Sequence, residues 1–229
     1  MEYEATFIES IERNYQVKSF RFTRAAGFDF KAGQFFYITL GKTRIKHFSF
    51  SDSPAQKDYI EFTTKMTGSE DKNAINALKP GDKVRIRGPH GAFTYNPENR
   101  KVAFLSGGIG ITPIRSICRD LTANKVDADV TLLYGNNQER DILFRKDFEE
   151  MTRENKNLKV VHILQDPPAG WTGRTGRISK EVINEEVPDI LERAFYLCGP
   201  PGMVLALNKE LEDMGVQDKG IRMENFVGY

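Results

Sequence analysis

The glycine-rich stretch Leu105–Ile117 holds the residues best suited to phosphate chemistry. Its sequence, LSGGIGITPIRSI, follows an apolar run and continues with apolar residues at helical spacing, which predicts a strand, a glycine turn and a helix. Gly107, Gly108 and Gly110 allow positive φ and a close approach to a ligand. The helix start would offer unpaired N–H groups to a phosphate. Pro113 suits a first helical turn and stands where a dinucleotide fingerprint carries its last glycine.

The segment Lys46–Pro54, KHFSFSDSP, is a second candidate for ligand binding. If it is a strand, Lys46, Phe48 and Phe50 share one face, while His47, Ser49 and Ser51 share the other. Two interpretations are open. The segment is an edge strand whose hydroxyl groups face solvent, or it is a strand that presents an aromatic ring and a hydroxyl group to a planar ligand. The loop Arg87–Phe93 is likewise either a structural turn or the wall of a pocket.

Two single residues at predicted strand ends also have possible chemical roles. Asp166 could accept hydrogen bonds from an adenosine ribose and repel a 2′-phosphate, although Asp166-Pro167-Pro168 could be a simple turn. Cys198 ends a buried strand, where cysteine is usually a small apolar filler. The Gly-Pro-Pro-Gly that follows it, however, starts a helix that a ligand can approach.

Length and composition limit the possible functions. A chain of 229 residues can form one large domain or two ordinary ones, with cores that need no disulfide. Its net charge of +1 gives no general attraction to nucleic acid or to membranes. Two cysteines fit a reducing cytoplasm and are too few for a cysteine-ligated cluster, and three scattered histidines argue against a metal site. The sequence predicts neither secretion nor a membrane span.

Alternating, aromatic-rich segments predict short strands throughout the first half. Strands are expected within 3–24, with a turn at Arg13-Asn14, and at 35–40, 46–51, 59–66 and 83–87, with a turn at Gly41-Lys42. Asp71–Leu78 is predicted as a helix that Pro80-Gly81-Asp82 ends. Short strands joined by turns are typical of a small antiparallel barrel. The polar segment Pro97–Arg100 predicts a boundary, with residues 1–98 in the first domain.

From Lys101 strands alternate with helices, which predicts an α/β domain with a parallel sheet over residues 99–229. Its strands are expected at 101–106, 130–134, 158–164, 194–197 and 220–223, and its helices at 111–123, 146–155, 179–186 and 200–214. Gly215 is expected to cap the last helix. Because ligands of open α/β sheets collect at the carboxyl ends of the strands, a dinucleotide is expected there.

Five motifs in a fixed order give the chain a resemblance to a known family. They are Lys46–Pro54, Gly88–Gly91, Ser106–Pro113, Trp171–Gly176 and Cys198–Met203. With them the chain resembles the ferredoxin–NADP⁺ reductase superfamily, and its Asn136–Arg145 run is most similar to the NADH-using cytochrome reductases. The resemblance implies two domains: an antiparallel β-barrel that binds FAD, then an α/β, Rossmann-like parallel-sheet domain that binds NAD(P)H.

The resemblance also implies cofactor contacts. Lys46 and Phe48 replace the family's Arg and Tyr. Lys46 would therefore bind a flavin phosphate as a point charge, without the bidentate hydrogen bonds that an arginine can form. The family's pyrophosphate loop is abbreviated to Lys65–Asn73 and carries two acids. The other implied flavin contacts are His47, Ser49, Phe50, Ser51, Thr63, Thr64, Lys65, Gly68, Ser69, Lys72, Asn73 and Tyr229. The implied dinucleotide contacts are Gly107, Gly108, Gly110, Thr112, Pro113, Asn136, Asp166, Cys198, Gly199, Pro200 and Met203.

The implied reaction is hydride transfer between nicotinamide and flavin, which needs alignment and electrostatics rather than a side-chain base. Ser49 would lie at the reactive flavin nitrogen and Cys198 beside the nicotinamide. Near the C-terminus, Tyr229 is expected to cover the flavin face and Glu224 to be an acid beside the ring. Phe226 would pack beneath Tyr229 or be the stacking ring itself.

Electrons would then pass to a separate acceptor. The implied partners are a small redox protein of the ferredoxin, flavodoxin, rubredoxin or cytochrome type, or a small molecule. NADH is expected over NADPH because Asp166 stands where phosphate-selecting relatives carry a basic residue, although Arg140 or Arg145 could offset its charge. Two other hypotheses remain open: a non-catalytic flavin- or nucleotide-binding subunit, and a reductase that binds free flavin as a substrate.

Overall fold

The structure, a computed structural model, describes residues 1–40 and 44–226. Two six-stranded sheets follow one another along the chain. The predicted turn at Gly41-Lys42 and the C-terminal residues Val227, Gly228 and Tyr229 lie outside the described residues.

Six antiparallel strands form the first sheet. They are β1 (Glu2–Asn14), β2 (Val17–Thr23), β3 (Phe35–Leu40), β4 (Arg44–Ser49), β5 (Tyr59–Lys65) and β6 (Lys83–His90). The order across the sheet is β4-β3-β6-β1-β2-β5. A bridge between Phe50 and Phe62 joins the two edge strands, so the sheet closes into the predicted barrel. The short helix α1 (Glu70–Asn76) matches the helix predicted in this half and buries Ile75.

The first hairpin turns later than the sequence predicts. β1 continues through Arg13 and Asn14, and the turn lies at Tyr15 and Gln16. The Asn14 side chain explains this difference, because its Oδ1 accepts a hydrogen bond from the Gln16 backbone N–H at 3.0 Å. The asparagine therefore stabilises the turn from the end of the strand rather than standing inside it.

Six parallel strands form the second sheet, as predicted. They are β7 (Lys101–Gly107), β8 (Asp129–Asn136), β9 (Leu158–Leu164), β10 (Arg174–Thr175), β11 (Ala194–Gly199) and β12 (Ile221–Asn225). The order is β10-β9-β8-β7-β11-β12. The edge strand β10 has only two residues, which is too short for a periodic pattern to predict it.

Four helices cover the two faces of this sheet: α2 (Ile111–Ala123), α3 (Arg145–Glu154), α4 (Lys180–Glu186) and α5 (Pro201–Asp213). α2 and α3 share one core with Phe104, and α4 and α5 share another with Leu105, because successive side chains of a strand point to opposite faces. β6 and β7 flank the boundary expected after residue 98, which stays a prediction. Within the described ranges, no helix has the length and apolarity needed to cross a membrane.

Candidate active site

The carboxyl ends of β7 and β11 mark the point where the sheet order reverses. The chain proceeds from β7 to β8 on one side of the sheet and returns to β11 on the other. Ligands of open α/β sheets bind in the crevice at such a point. Gly107 ends β7, and a single 3₁₀ turn, Gly108–Gly110, leads directly into α2. The predicted strand, glycine turn and helix are therefore confirmed.

Two glycines of this turn are required for different reasons. A Cβ on Gly110 would lie 2.4 Å from the Cys198 carbonyl oxygen, so only glycine lets the turn pack against β11. Gly108 has a φ of +53°, and a Cβ there would meet nothing within 4 Å. Its backbone therefore faces open space, as a phosphate cradle requires.

A cavity of about 920 Å³ runs along this edge and extends to the barrel. This volume lies within the range of cofactor sites. On the barrel side it is lined by Lys65 and the β1–β2 turn. On the sheet side its walls include five of the predicted dinucleotide contacts: Gly107, Gly108, Asn136, Pro200 and Met203.

The other predicted dinucleotide contacts do not line this cavity. Thr112 is buried and donates its hydroxyl to the Ile109 carbonyl oxygen at 3.1 Å, so it stabilises the glycine turn. Asp166 follows β9, and its Oδ2 accepts from Gln138 Nε2 at 2.8 Å. The remaining members of this set are Gly110, Pro113, Cys198 and Gly199.

Two buried polar side chains at this edge fit a bound dinucleotide. Within residues 1–40 and 44–226, the Ser106 hydroxyl has no hydrogen-bond partner, and the Asn136 amide lies beside the Tyr134 hydroxyl without a hydrogen bond of good geometry. A buried polar group without a partner is costly. Asn136 also lines the cavity, so a ligand there could satisfy its amide. The glycine cradle and this amide suit a nicotinamide dinucleotide.

One row of side chains at the barrel-facing end of the sheet joins three strands. Ser106, Cys198 and Glu224 are directly paired on β7, β11 and β12, so they share a face. Ser49, at the end of β4, donates its hydroxyl to Glu224 Oε1 at 3.4 Å. The fold thus brings together three of the four predicted catalytic residues; the fourth, Tyr229, lies outside the described residues.

Burial controls the protonation of this row. Desolvation raises the pKa of Glu224 to about 7, against a smaller opposing effect from its Ser49 hydrogen bond. Burial, with a further contribution from Glu224, raises the pKa of the Cys198 thiol well above its ordinary value. Cys198 is therefore a neutral thiol rather than a nucleophilic thiolate. Glu224 can hold or release a proton near neutral pH.

The predicted flavin-phosphate residues meet beside α1. The Lys46 ammonium lies 2.9 Å from a carboxylate oxygen of Asp71. The Lys72 ammonium lies 4.8 Å from the Phe48 ring centroid and donates to the Thr64 hydroxyl. Burial, and then the charge of Lys46, lowers the pKa of Lys72 to about 8. These two lysines provide positive charge for a pyrophosphate, so the donors present fit FAD.

The loop that leads into α1 has its own hydrogen bonds. Ser69 caps the helix by accepting from the Lys72 backbone N–H at 3.5 Å. Asn73 Nδ2 donates to the Gly68 carbonyl oxygen at 3.0 Å. These bonds fix the shape of the abbreviated loop, while the roles of these residues towards flavin stay predictions.

The aromatic residues of Lys46–Pro54 lie inside the barrel. Phe48 stacks on Phe62 with ring centroids 4.1 Å apart, and Phe50 stacks on Phe30 at 3.8 Å. Phe50 is fully buried, so it packs the core and presents no ring to a cavity. A flavin contact of Phe48 stays a prediction. His47, on the opposite face, lines a second cavity of about 660 Å³ that Glu224 also lines.

Ser51 and Thr63 belong to a buried hydrogen-bond network rather than to a cavity wall. Thr63 donates to Ser51 at 2.9 Å, and Ser51 donates to Glu61 at 2.9 Å. The sequence patterns did not single out the central cation of this network, Arg115. This residue of α2 is 1% exposed and bonds both Glu61, at 3.0 Å, and Asp147, at 2.6 Å. The sequence does contain a signal that could have revealed this cation: an arginine stands among the apolar residues of the helix that follows the glycine turn.

A turn of the barrel forms part of the wall of the large cavity. It is the β1–β2 turn, Asn14–Gln16, and we call it the hairpin strap. The Tyr15 hydroxyl donates to Asp141 Oδ1 at 2.8 Å, and Asn14 Nδ2 donates to the Arg140 carbonyl oxygen at 3.2 Å. Asn14, Tyr15 and Asp141 all line the cavity, so the strap joins the two domains across it.

Comparison with known families identifies both halves. The oxidoreductase FAD-binding domain family matches residues 3–95, and the oxidoreductase NAD-binding domain family matches residues 104–209. The order and placement of these matches agree with the barrel and the parallel sheet. The chain belongs to the ferredoxin–NADP⁺ reductase superfamily. The expected pair of cofactors, FAD and a nicotinamide dinucleotide, follows from these domains.

Individual members of the superfamily resemble the chain along most of its length. NADH-cytochrome b5 reductase 1 of Dictyostelium discoideum is 32% identical over 79% of this chain and 65% of its own. A component of the Na(+)-translocating NADH-quinone reductase of Serratia proteamaculans is 31% identical over 82% of this chain and 50% of its own. A ferredoxin NADP+ reductase from Neisseria gonorrhoeae, solved with bound FAD and NADP, has the same fold, with a TM-score of 0.82, 19% identity and coverage of 98% of both chains.

The curated relatives are longer than the chain. It spans 65% of the Dictyostelium protein and about half of the Serratia protein. Their whole-protein activities therefore bear on this chain only as proposals.

Proposed function

We propose that this chain is a flavoprotein reductase that takes a hydride from NADH onto bound FAD and passes the electrons to a separate acceptor. The observation that carries the proposal is the meeting of Ser49, Glu224 and Cys198 between the barrel and the carboxyl edge of the sheet. Neither domain alone contains this group. It stands where a flavin held by the barrel and a nicotinamide held by the sheet would have to meet.

The side chains have separate tasks in this reaction. Bound FAD would supply the capacity to accept a hydride and to release electrons singly. The Ser49 hydroxyl orients the reacting ring edge, and the neutral Cys198 thiol packs against the nicotinamide. Glu224 holds a proton near neutral pH, because burial raises the pKa of its carboxyl to about 7. Lys46 and Lys72 bind the pyrophosphate.

NADH rather than NADPH is the proposed donor. Asp166 stands at the carboxyl end of β9, where its charge would repel a 2′-phosphate by several kcal/mol at a separation of a few ångströms. Its hydrogen bond with Gln138 holds the carboxylate in place. Asp166→Ser should narrow the difference between the two cofactors in kcat/KM. Equal or higher values with NADPH in the unsubstituted protein would contradict the preference.

The proposed acceptor is a small redox protein or a small molecule. Support comes from the names of two relatives, one a reductase of cytochrome b5 and the other of a quinone. Both described cysteines are free thiols, which supports a reducing compartment such as the cytoplasm.

Colour and bleaching test the function. The purified protein should be yellow, release FAD rather than FMN on denaturation, and bleach when NADH is added without oxygen. A yellow protein that does not bleach would indicate a non-catalytic binding subunit. A colourless protein that reduces added flavin would indicate that flavin is a substrate.

A further inference from the structure

The α5 wall of the large cavity ends in an acid. Met203, Ala206, Leu207 and Glu210 line the cavity, and their spacing places them along one side of the helix. Glu210 lies nine residues after Pro201, which is roughly 14 Å along the helix axis at the usual rise. It is therefore well removed from the helix start, which faces the glycine turn.

One carboxylate oxygen of Glu210 is in an unfavourable environment in the protein alone. Oε2 is buried and has no hydrogen-bond partner among residues 1–40 and 44–226. Burial raises the pKa of the carboxyl and the nearby Glu181 adds to this rise, while a hydrogen bond from the Lys180 backbone N–H to the carboxylate and the charge of Lys180 oppose it. A buried acceptor without a donor costs stability. A ligand that brings a donor into the cavity would remove that cost.

The cavity around Glu210 suits a flat base. Ile178 lines it from the loop before α4, while Ala206 and Leu207 line it from α5. These are apolar surfaces that can sandwich a planar ring. A phosphate would be repelled by the carboxylate, and a ribose would leave its hydroxyls against the apolar walls.

The proposed function determines which end of the dinucleotide reaches this place. The nicotinamide belongs beside Ser49, Cys198 and Glu224, and the pyrophosphate belongs at the open backbone of Gly108. The adenosine half must then extend away from the barrel, with the ribose towards the carboxyl end of β9, where Asp166 lies, and the base in the remaining part of the cavity. The adenine ring carries an exocyclic amino group, which is a hydrogen-bond donor.

We propose that Glu210 recognises adenine by accepting a hydrogen bond from this amino group on Oε2. The inference rests on the proposed function for the orientation of the dinucleotide. Glu210 thereby determines specificity for adenine over hypoxanthine, in which a carbonyl replaces the amino group. It takes no part in hydride transfer.

Paired cofactors test the proposal on the holoenzyme. KM is measured at pH 8 with ferricyanide as acceptor, for NADH and for reduced nicotinamide hypoxanthine dinucleotide. The unsubstituted protein should favour NADH about tenfold, as expected for one hydrogen bond to a charged group. Glu210→Ala should raise KM for NADH by that factor and change KM for the analogue less than about twofold. Glu212→Ala, which removes an exposed acid of the same helix, should change neither.

A second variant separates recognition from a structural role. Glu210→Gln replaces an acceptor-only group by an amide that can donate to the hypoxanthine carbonyl. It should therefore strengthen binding of the analogue, which no general damage to the cavity would do. If Glu210→Ala weakens both cofactors equally, or leaves their ratio unchanged, the proposal is wrong.

Binding measurements keep this result independent of turnover. Calorimetry with ADP-ribose and its hypoxanthine counterpart should give the same tenfold preference, and Glu210→Ala should abolish it. If the protein fails to oxidise NADH but calorimetry still shows the preference for adenine over hypoxanthine, the proposed function alone is wrong. Oxidation of NADH with no preference in either assay would overturn the role of Glu210 alone.

Discussion

At the scale of single residues, two buried groups in the described part of the chain have a pKa that burial shifts towards neutral pH. Burial raises the pKa of Glu224 to about 7 and lowers that of Lys72 to about 8. Each lies where a cofactor is proposed: Glu224 beside Ser49, and Lys72 beside Lys46 and Phe48. Their pH dependence therefore reports on separate parts of the site.

Glu224→Gln should change the second half of the reaction. As pH rises through about 7, Glu224 loses the proton that it can supply, so acceptor reduction should slow. In the glutamine variant this slope should disappear and the rate at pH 6 should fall roughly a hundredfold, at the lower end of the usual range for loss of a proton donor. Stopped-flow bleaching by NADH should change little. An unaltered pH profile in the variant would assign the ionisation to another group.

Lys72→Met should weaken flavin retention most at neutral pH. A phosphate favours the charged ammonium, so FAD affinity in the unsubstituted protein should fall as pH rises above about 8. The variant should lose about tenfold in affinity at pH 7 and show no such fall. Fluorescence of FAD during reconstitution at pH 7 and pH 9 measures this. Lys57→Met, at an exposed position, is the control and should retain the normal profile.

Lys46→Ala should weaken flavin binding more than it slows hydride transfer. A phosphate contact is made equally in the ground state and the transition state, so it contributes to binding alone. Flavin content after dialysis and the bleaching rate of the fully loaded protein separate the two effects. A slower bleaching rate with normal flavin content would contradict the assignment.

At the scale of elements, the hairpin strap connects the barrel to the loop after β8. Tyr15 is exposed, so its bond with Asp141 contributes little to overall stability. The Arg140 guanidinium lies 4.9 Å from the Tyr15 ring centroid and gives the strap a second contact. Because Tyr15 and Asp141 both line the cavity, the strap is expected to hold a bound dinucleotide in place.

Tyr15→Phe should loosen the strap without unfolding it. The ring keeps its contact with Arg140, while the hydrogen bond to Asp141 is lost. Dissociation of NADH should then be about two- to fivefold faster, in line with the loss of roughly 1 kcal/mol. Stopped-flow displacement measures the rate. Tyr3→Phe removes a tyrosine hydroxyl from the barrel away from the cavity and should leave it unchanged; equal effects of both variants would exclude a strap function.

At the scale of the whole molecule, a buried ion network joins the two domains. In the barrel, Glu61 Oε2 forms ion pairs with Arg13 Nη2 at 3.1 Å and with Arg21 Nε at 2.9 Å. Arg115 connects it to Asp147 of α3. Since Arg115 follows the glycine turn on α2, the same side chain links the position of the turn to the barrel.

Arg115→Met should destabilise the protein by about 3 kcal/mol. Removing one partner of a buried ion pair leaves uncompensated charge, although Arg13 and Arg21 still neutralise Glu61. Urea unfolding measures the loss. Arg119→Met provides the comparison, because the Arg119 side chain is 40% exposed. This substitution should lower the free energy of unfolding by less than about 1 kcal/mol. Similar losses for the two variants would show that the network is not a specific link between the domains.

Local sequence patterns were sufficient for most of the elements and for their order along the chain, but not for the two-residue strand β10. Apolar periodicity predicted the strand, glycine turn and helix at Leu105–Ile117, and Gly215 marked the end of α5 with a φ of +90°. The change of pattern at Lys101 distinguished the antiparallel from the parallel sheet. These features depend on backbone conformation and on burial of one face, which neighbouring residues determine.

Only the tertiary structure decided which side chains meet. Ser49 and Glu224 are 175 residues apart, and no local pattern indicates that they share a hydrogen bond. Arg115 lies in an apolar helix pattern, yet its charge is stabilised by Glu61 from another domain. Phe50 shares its alternation with Phe48 and Lys46, but closure of the barrel buries it. Periodicity specifies which face of an element is apolar, whereas contacts, burial and pKa depend on what folding places against that face.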